Sequence, residues 1–323
     1  MRLLRYAFVV CVVVSAALWF NNTSLWSPGG QPLLLAHRGL AQTYQTRGLD
    51  AQTCTASRIH PPEHRYIENT IASMAAAFEA GADIVEFDIH PTTDKQFAVF
   101  HDWTLDCRTD GHGVTRQASM ADLRKLDLGH GYTSDGGKTY PFRGEFVGQM
   151  PTMDDVLTRF PDKRFLIHVK SNDPKEGELL ADRLMALPTP RLRQLIVYGG
   201  NAPINVLRQR MPGLRTASRN TMKQCATQYL ALSWSGHVPA DCANSMIMLP
   251  TNYGRWAWGW PNLLVARLRS VNTEVFVIGA NAGEDFSSGI DSPVDALQIP
   301  QGFAGGIWTN RVDRIAPLFA ARK

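Results

Sequence analysis

Glu86 and Asp88 lie two apart in the run Ile84-Val85-Glu86-Phe87-Asp88-Ile89. A strand has a period of two, so both carboxylates share one face while Val85, Phe87 and Ile89 share the other. Two neighbouring carboxylates repel each other and are costly to bury. A bound cation removes that cost, and hard divalent ions prefer oxygen ligands. A second apolar run, Phe97 to Phe100, ends on His101-Asp102, and an earlier one, Leu33 to Ala36, ends on His37-Arg38-Gly39. The run Phe165 to Lys170 places His168 and Lys170 on one face. Apolar strands ending in such groups look like the mouth of a parallel barrel, where chemistry sits at the strand C-termini. The plainer alternative is a set of strand ends whose charges face water.

The elements that must position these groups alternate along the chain. Further strand candidates are Leu195 to Tyr198, Leu214 to Ala217, Ser245 to Leu249, Glu274 to Ile278 and Gly305 to Thr309. Helices are expected from Glu68-Asn69-Thr70, with Asn69 as cap and Gly81 as stop, over Ser119 to Leu126, and after Pro151-Thr152, with Thr152 as cap. Others fall at Glu176 to Leu187, Ile204 to Arg210, Met222 to Leu232 and Leu263 to Ser270. This alternation predicts a parallel α/β fold. The strand candidates exceed the eight of a closed barrel by one. A long polar stretch, Leu40 to Tyr66, follows the first strand, and a loop of that length is usually functional or tied down.

Of the 323 residues, 44% are hydrophobic, which suits a globular chain. The net charge of +4 comes without long Lys/Arg runs, so nucleic acid is not an expected partner. Arg2 and Arg5 precede the apolar run Tyr6 to Phe20, so the remainder is expected to cross the membrane. The run, at roughly 15 to 18 residues, is short for a spanning helix and also fits a signal peptide. Its one small-x-small site, Ser15-Ala16-Ala17, lies early within the run and favours an uncleaved anchor. Residues 1–24 are thus read as anchor or signal, and 31–323 as the domain, facing the periplasm or exterior, or secreted after cleavage. Cys54, Cys107, Cys225 and Cys242 are an even set in a chain bound for an oxidising compartment. Of three possible pairings, Cys225–Cys242 is the most local, and Cys54–Cys107 would then join two loops at one end of the barrel. Four buried free thiols are the alternative.

Taken in order, the motifs resemble the glycerophosphodiester phosphodiesterase family, a TIM-barrel group. They are His37-Arg38-Gly39, Glu68-Asn69-Thr70, Gly81-Ala82-Asp83 leading to Glu86-Phe87-Asp88, His101-Asp102, Pro151-Thr152-Met153 and Gly306-Ile307-Trp308-Thr309-Asn310. The resemblance spans residues 33 to 313. It implies a TIM (β/α)8-type barrel, an acid/base pair His37 and His101, a divalent metal on Glu86 and Asp88, and phosphate contacts from Arg38 and Lys170. The implied substrate is a small or lipid-derived phosphodiester, split into an alcohol and a phosphomonoester. Cleaving a phosphodiester needs charge neutralisation, a base and an acid, and this set supplies all three.

The chain departs from the family pattern at three places. His168 stands where the family usually has Glu, so the third metal ligand would be imidazole; Mg²⁺ or Ca²⁺ is implied by the family, and Mn²⁺ or Zn²⁺ by His168. The family's aromatic residue after the penultimate strand is replaced near Ile278-Gly279, and the Leu40 to Tyr66 loop is longer than usual. Two alternatives follow: phospholipase D- or C-like activity on intact lipid, or a non-catalytic phosphodiester-binding protein on the same scaffold. No protein partner is evident.

Overall fold

The computed structural model describes residues 2–46, 48–49, 53–281 and 288–320. Every predicted strand forms: β1 (Leu33–Ala36), β2 (Ile84–Pro91), β3 (Phe97–Val99), β4 (Arg164–Val169), β5 (Leu195–Gly199), β6 (Arg215–Ser218), β7 (Met246–Pro250), β8 (Glu274–Ile278) and β9 (Gly306–Thr309). All but β3 run parallel, in the order β6-β5-β4-β2-β1-β9-β8-β7. The surplus strand is β3, which pairs antiparallel with the end of β2. The result is a nearly closed TIM-type barrel. Its seam lies between β6 and β7, which form no ladder among the described residues. They are joined there by Thr216 N–H to the Asn244 carbonyl and Ser245 Oγ to the Thr216 carbonyl, both 3.0 Å.

The helices named here are α1 (Arg2–Asn22), α2 (Ile71–Glu79), α3 (Met153–Arg159), α4 (Pro174–Met185), α5 (Asn201–Arg210), α6 (Arg219–Leu232), α7 (Asn262–Arg269) and α8 (Val312–Ala320). Several begin earlier than their apolar periodicity suggests, because caps such as Asp173 and Ser218 sit before the first apolar turn. The expected Ser119 to Leu126 helix shrinks to Met120–Leu123. Asn69 is not the cap of α2. Thr70 is, in a reciprocal box with Ser73, and Asn69 adopts a left-handed φ of 58° that frees its amide for another task.

The alternation read from sequence sorts the core into layers. Val85, Phe87 and Ile89 pack outward beneath the helices, while Leu35, Ile84, Leu166, Ile196, Phe276 and Trp308 fill the barrel. A second, smaller core, including Ile59, Phe100, Tyr132 and Phe142, gathers the first loop and residues 100–150 beside the mouth. Cys54–Cys107 staples this lobe across a Cα–Cα distance of 5.4 Å, and Cys225–Cys242 joins the middle of α6 to the segment before β7 at 4.7 Å. Helix α1 contains a 19-residue stretch, Leu4–Asn22, with mean hydropathy 1.7 and none of it buried. It is longer than the apolar run alone suggests, and it suits a signal anchor and a signal peptide alike.

Candidate active site

The strands carry His37, Arg38, Glu86, Asp88, His101, His168 and Lys170 to one end of the barrel. There most of them line a cavity of about 320 Å³ together with Tyr198, Met222, Met248 and Trp308. Glu86 and Asp88 have no exposed surface and lie against these lining residues, Asp88 Oδ1 2.8 Å from His168 Nδ1 and Glu86 3.9 Å from His37 Nε2. Burial and the Asp88 charge push the Glu86 carboxyl up to about 8. Burial also works against the Asp88 charge, but Lys170 and Arg38 outweigh it and hold that carboxyl well below the usual range. Arg38 Nε lies 3.2 Å and Lys170 Nζ 3.5 Å from Asp88. Asn69 grips the same residue twice, donating its amide to Oδ2 at 2.9 Å and accepting the Asp88 N–H at 3.1 Å.

The two predicted histidines are oriented differently. The Asn310 amide nitrogen donates to Asp291 at 2.7 Å, which turns its carbonyl oxygen to His37 Nδ1, also at 2.7 Å. His37 Nδ1 therefore carries a proton, and Nε2 offers its lone pair 3.9 Å from Glu86. Burial, reinforced by the Arg38 charge, drives its proton affinity well down. His101 Nδ1 instead meets the Asp102 carboxylate at 2.6 Å. Burial and Arg38 also lower its proton affinity, while Asp102 opposes them.

Residues without an assigned role in the sequence connect these groups. Arg108 reaches Asp102 at 2.9 Å and Glu68 at 3.0 Å, and Glu68 in turn binds Arg38 at 3.0 Å. A buried chain thus runs from His101 through Asp102, Arg108 and Glu68 to Arg38. Burial opposes the Arg38 and Arg108 charges, yet their carboxylate neighbours raise both above the ordinary range. Tyr198 donates its hydroxyl to Glu86 at 2.9 Å and stacks on His168 at 4.2 Å. Glu68, Asp102 and Asn310 stood inside the recognised motifs. Arg108 had no signal beyond its adjacency to Cys107.

One oxygen or nitrogen from each of Glu86, Asp88 and His168 lies within 4.8 Å of the others. Metal–ligand bonds of roughly 2.0–2.6 Å reach across such a spread, so the donor set fits one divalent ion. His168 Nδ1 lies 2.8 Å from Asp88 Oδ1, and an ionised carboxylate only accepts. Nδ1 therefore carries the proton here, and ligation through it requires the other tautomer. Burial and Lys170 bring this imidazole down to about 4, so it stays neutral, as a ligand must be. Gly279 follows β8 as expected, but residues 282–287 beyond it lie outside the described residues.

Residues 37–193 match the model of the Glycerophosphoryl diester phosphodiesterase family. Glycerophosphodiester phosphodiesterases of Caldanaerobacter subterraneus subsp. tengcongensis and Bacillus subtilis are 35% and 34% identical over 32% and 37% of this chain. The matched stretches span 39% and 40% of those relatives' own lengths. Among solved structures, a glycerophosphodiester phosphodiesterase from Agrobacterium tumefaciens aligns with 90% of this chain and 98% of its own (TM-score 0.56, 22% identity). An Oleispira antarctica phosphodiesterase, solved with the product sn-glycerol-3-phosphate, covers 90% and 97% (TM-score 0.58, 16% identity). At these identities the structural likeness carries the fold.

Proposed function

Because residues 37–193 belong to the glycerophosphoryl diester phosphodiesterase family, we propose that this chain is a metal-dependent phosphodiesterase acting on glycerophosphodiesters or lipid-derived relatives. The observation that carries this is the buried Glu86–Asp88 pair beside two histidines whose Nδ1 partners differ, neutral Asn310 for His37 and anionic Asp102 for His101. A divalent ion on Glu86 and Asp88, with His168 as third ligand, would neutralise charge on the phosphoryl oxygens.

The chain's own groups supply the rest. Arg38 and Lys170 hold the phosphate. Neutral Asn310 behind His37 leaves its Nε2 free as the base, and anionic Asp102 behind His101 favours the imidazolium that an acid requires. An attacking oxygen, from water or a neighbouring substrate hydroxyl, bonds to phosphorus and gives its proton to His37. The bond from phosphorus to the leaving oxygen breaks, and that oxygen takes the His101 proton. With water as nucleophile the products are an alcohol and a phosphomonoester. In this reading residues 1–24 are an export segment ahead of one barrel domain, 31–323.

The test is hydrolysis of bis(p-nitrophenyl) phosphate and glycerophosphocholine by the purified chain, with and without added Mg²⁺, Ca²⁺, Mn²⁺ or Zn²⁺. Ion-dependent release of the phosphomonoester is expected. Binding of glycerophosphocholine without turnover under any ion would reduce the chain to a binding protein.

A further inference from the structure

A second cavity, of about 420 Å³, opens beside the first and shares Arg219, Met222 and Met248 with it. Its volume lies in the roughly 300–1,000 Å³ range of small-molecule sites. Unlike the mouth, its walls are almost wholly apolar: Ala226 and Tyr229 from α6, Leu249 from β7, Leu264 and Leu268 from α7. It lies along the seam side of the barrel, where β6 and β7 form no ladder among the described residues and α6 connects them. Leu230, Tyr253 and Trp256 stand exposed at its edge.

The same wall receives the end of α1. Arg267, on α7 between the groove residues Leu264 and Leu268, donates to the Asn21 carbonyl at 2.7 Å and to Asn22 Oδ1 at 3.1 Å. Asn21 and Asn22 both donate to the Trp234 carbonyl, and Ser24 Oγ accepts the first amides of α7. Trp26, Trp234, Trp256 and Trp258 are exposed around this junction, and exposed Trp next to an apolar helix end suits a lipid–water interface. An apolar furrow that begins at a phosphate-handling mouth and ends among interfacial tryptophans has the polarity of a single-chain lipid: charged head at one end, hydrocarbon at the other.

We infer that the groove holds the hydrocarbon chain of the substrate, so that the preferred substrate class is a phosphodiester carrying one acyl or alkyl chain, with its phosphate between His37 and His101. This rests on the phosphodiesterase reading above, and the test separates the two. The full chain, in lipid nanodiscs, is labelled with a photoactivatable lysophosphatidylcholine whose reactive group lies in the chain, and the labelled peptides are mapped. Turnover of medium-chain lysophosphatidylcholine is measured beside that of glycerophosphocholine, which has the same head and no chain. Ala226 is exposed on α6, so Ala226→Trp narrows the groove without entering the core.

Labelling within 222–230 or 247–257, lost in Ala226→Trp, is expected. The variant should lower kcat/KM for the chain-bearing substrate by about tenfold or more, which corresponds to losing roughly two buried methylenes, and leave glycerophosphocholine within about twofold. Labelling elsewhere, or equal kcat/KM for both substrates in wild type and variant, would overturn the groove. Groove labelling without turnover of either substrate would keep the groove and defeat the phosphodiesterase reading. Turnover of glycerophosphocholine with an unlabelled groove would do the reverse.

Discussion

The two halves of the mouth are built on different principles. The side formed by residues 37–193 holds Arg38, Glu68, Glu86, Asp88, His101, Asp102, Arg108, His168 and Lys170, mostly buried and paired within about 3.5 Å. The side formed after residue 193 contributes Tyr198, Met222, Met248 and Trp308, with Arg219 as its one cation among the cavity-lining residues. β2 and β4 pair over six residues, whereas β6 and β7 form no ladder among the described residues. Buried charges repay their desolvation only when neighbours are held at hydrogen-bonding distance, and the six-residue β2–β4 ladder holds Asp88 beside His168 in that way. An apolar wall has no such geometric demand, and a seam there can open into a groove.

The comparison breaks first at the metal pair. If the charged side works through a cation, Glu86→Ala or Asp88→Ala should lose several kcal/mol of charge stabilisation, on the order of a thousandfold in rate. Exhaustive chelation should do the same, reversibly. Full activity in chelated protein free of metal by elemental analysis would remove the ion from the mechanism. His168→Glu sharpens the point: it should shift preference from Mn²⁺ or Zn²⁺ towards Mg²⁺ or Ca²⁺ in calorimetric titrations, and an unchanged ranking would mean that His168 only orients Asp88.

Next come the histidines. His37→Ala and His101→Ala should each cost on the order of a hundredfold or more, with the double variant little worse, because base and acid act in one step. Single-turnover rates on an activated diester measure this, and a wild-type rate in either variant excludes that residue.

Much of this side is legible in the amino-acid sequence, for definite reasons. Glu86 and Asp88 share a face by simple alternation, and His37, His101, His168 and Lys170 stand at the ends of continuous apolar runs that strands explain. What stayed hidden depends on tertiary geometry. Asn69 looked like a helix cap because it precedes an apolar helix, but its left-handed backbone turns it into a clamp on Asp88. Arg108 matters only because folding sets it between Asp102 and Glu68. β3 could not be told from a barrel strand, since only its antiparallel partner excludes it. The groove draws on separate helices and strands, none with a local signal.

The disulfides divide the same way. Both are expected to add roughly 2–4 kcal/mol of stability. Cys54–Cys107, however, sits beside Arg108 and Thr55, which are bonded to each other at 2.6 Å. Replacing both of its cysteines by Ala should therefore reduce kcat severalfold besides lowering Tm. The same replacement of Cys225 and Cys242 should lower Tm and leave hydrolysis of a chainless diester within about twofold. Equal kcat losses from both pairs would show that the loss follows global stability and not the Arg108 bridge.

The smallest effect tests whether the charged side stabilises a carboxylate only where a cation meets it. Glu176, at the start of α4 and 2% exposed, accepts a hydrogen bond from Ser171 but makes no ion pair among the described residues. Burial raises its carboxyl to about 7, against the lesser pull of Ser171 and Arg116. The native state therefore keeps a proton that the unfolded chain releases near pH 4.5. For a raised acid the stabilising contribution is complete below the unfolded value and is lost as pH rises through the folded one, about 3 kcal/mol between pH 4.5 and 7. Glu176→Gln, which is neutral at every pH, should remove that loss. Its Tm should exceed wild type by several degrees at pH 8, and the gap should close by pH 5. A gap that is constant with pH would mean that Glu176 stays ionised in the native state, and that the charged side tolerates a buried carboxylate without a cation beside it.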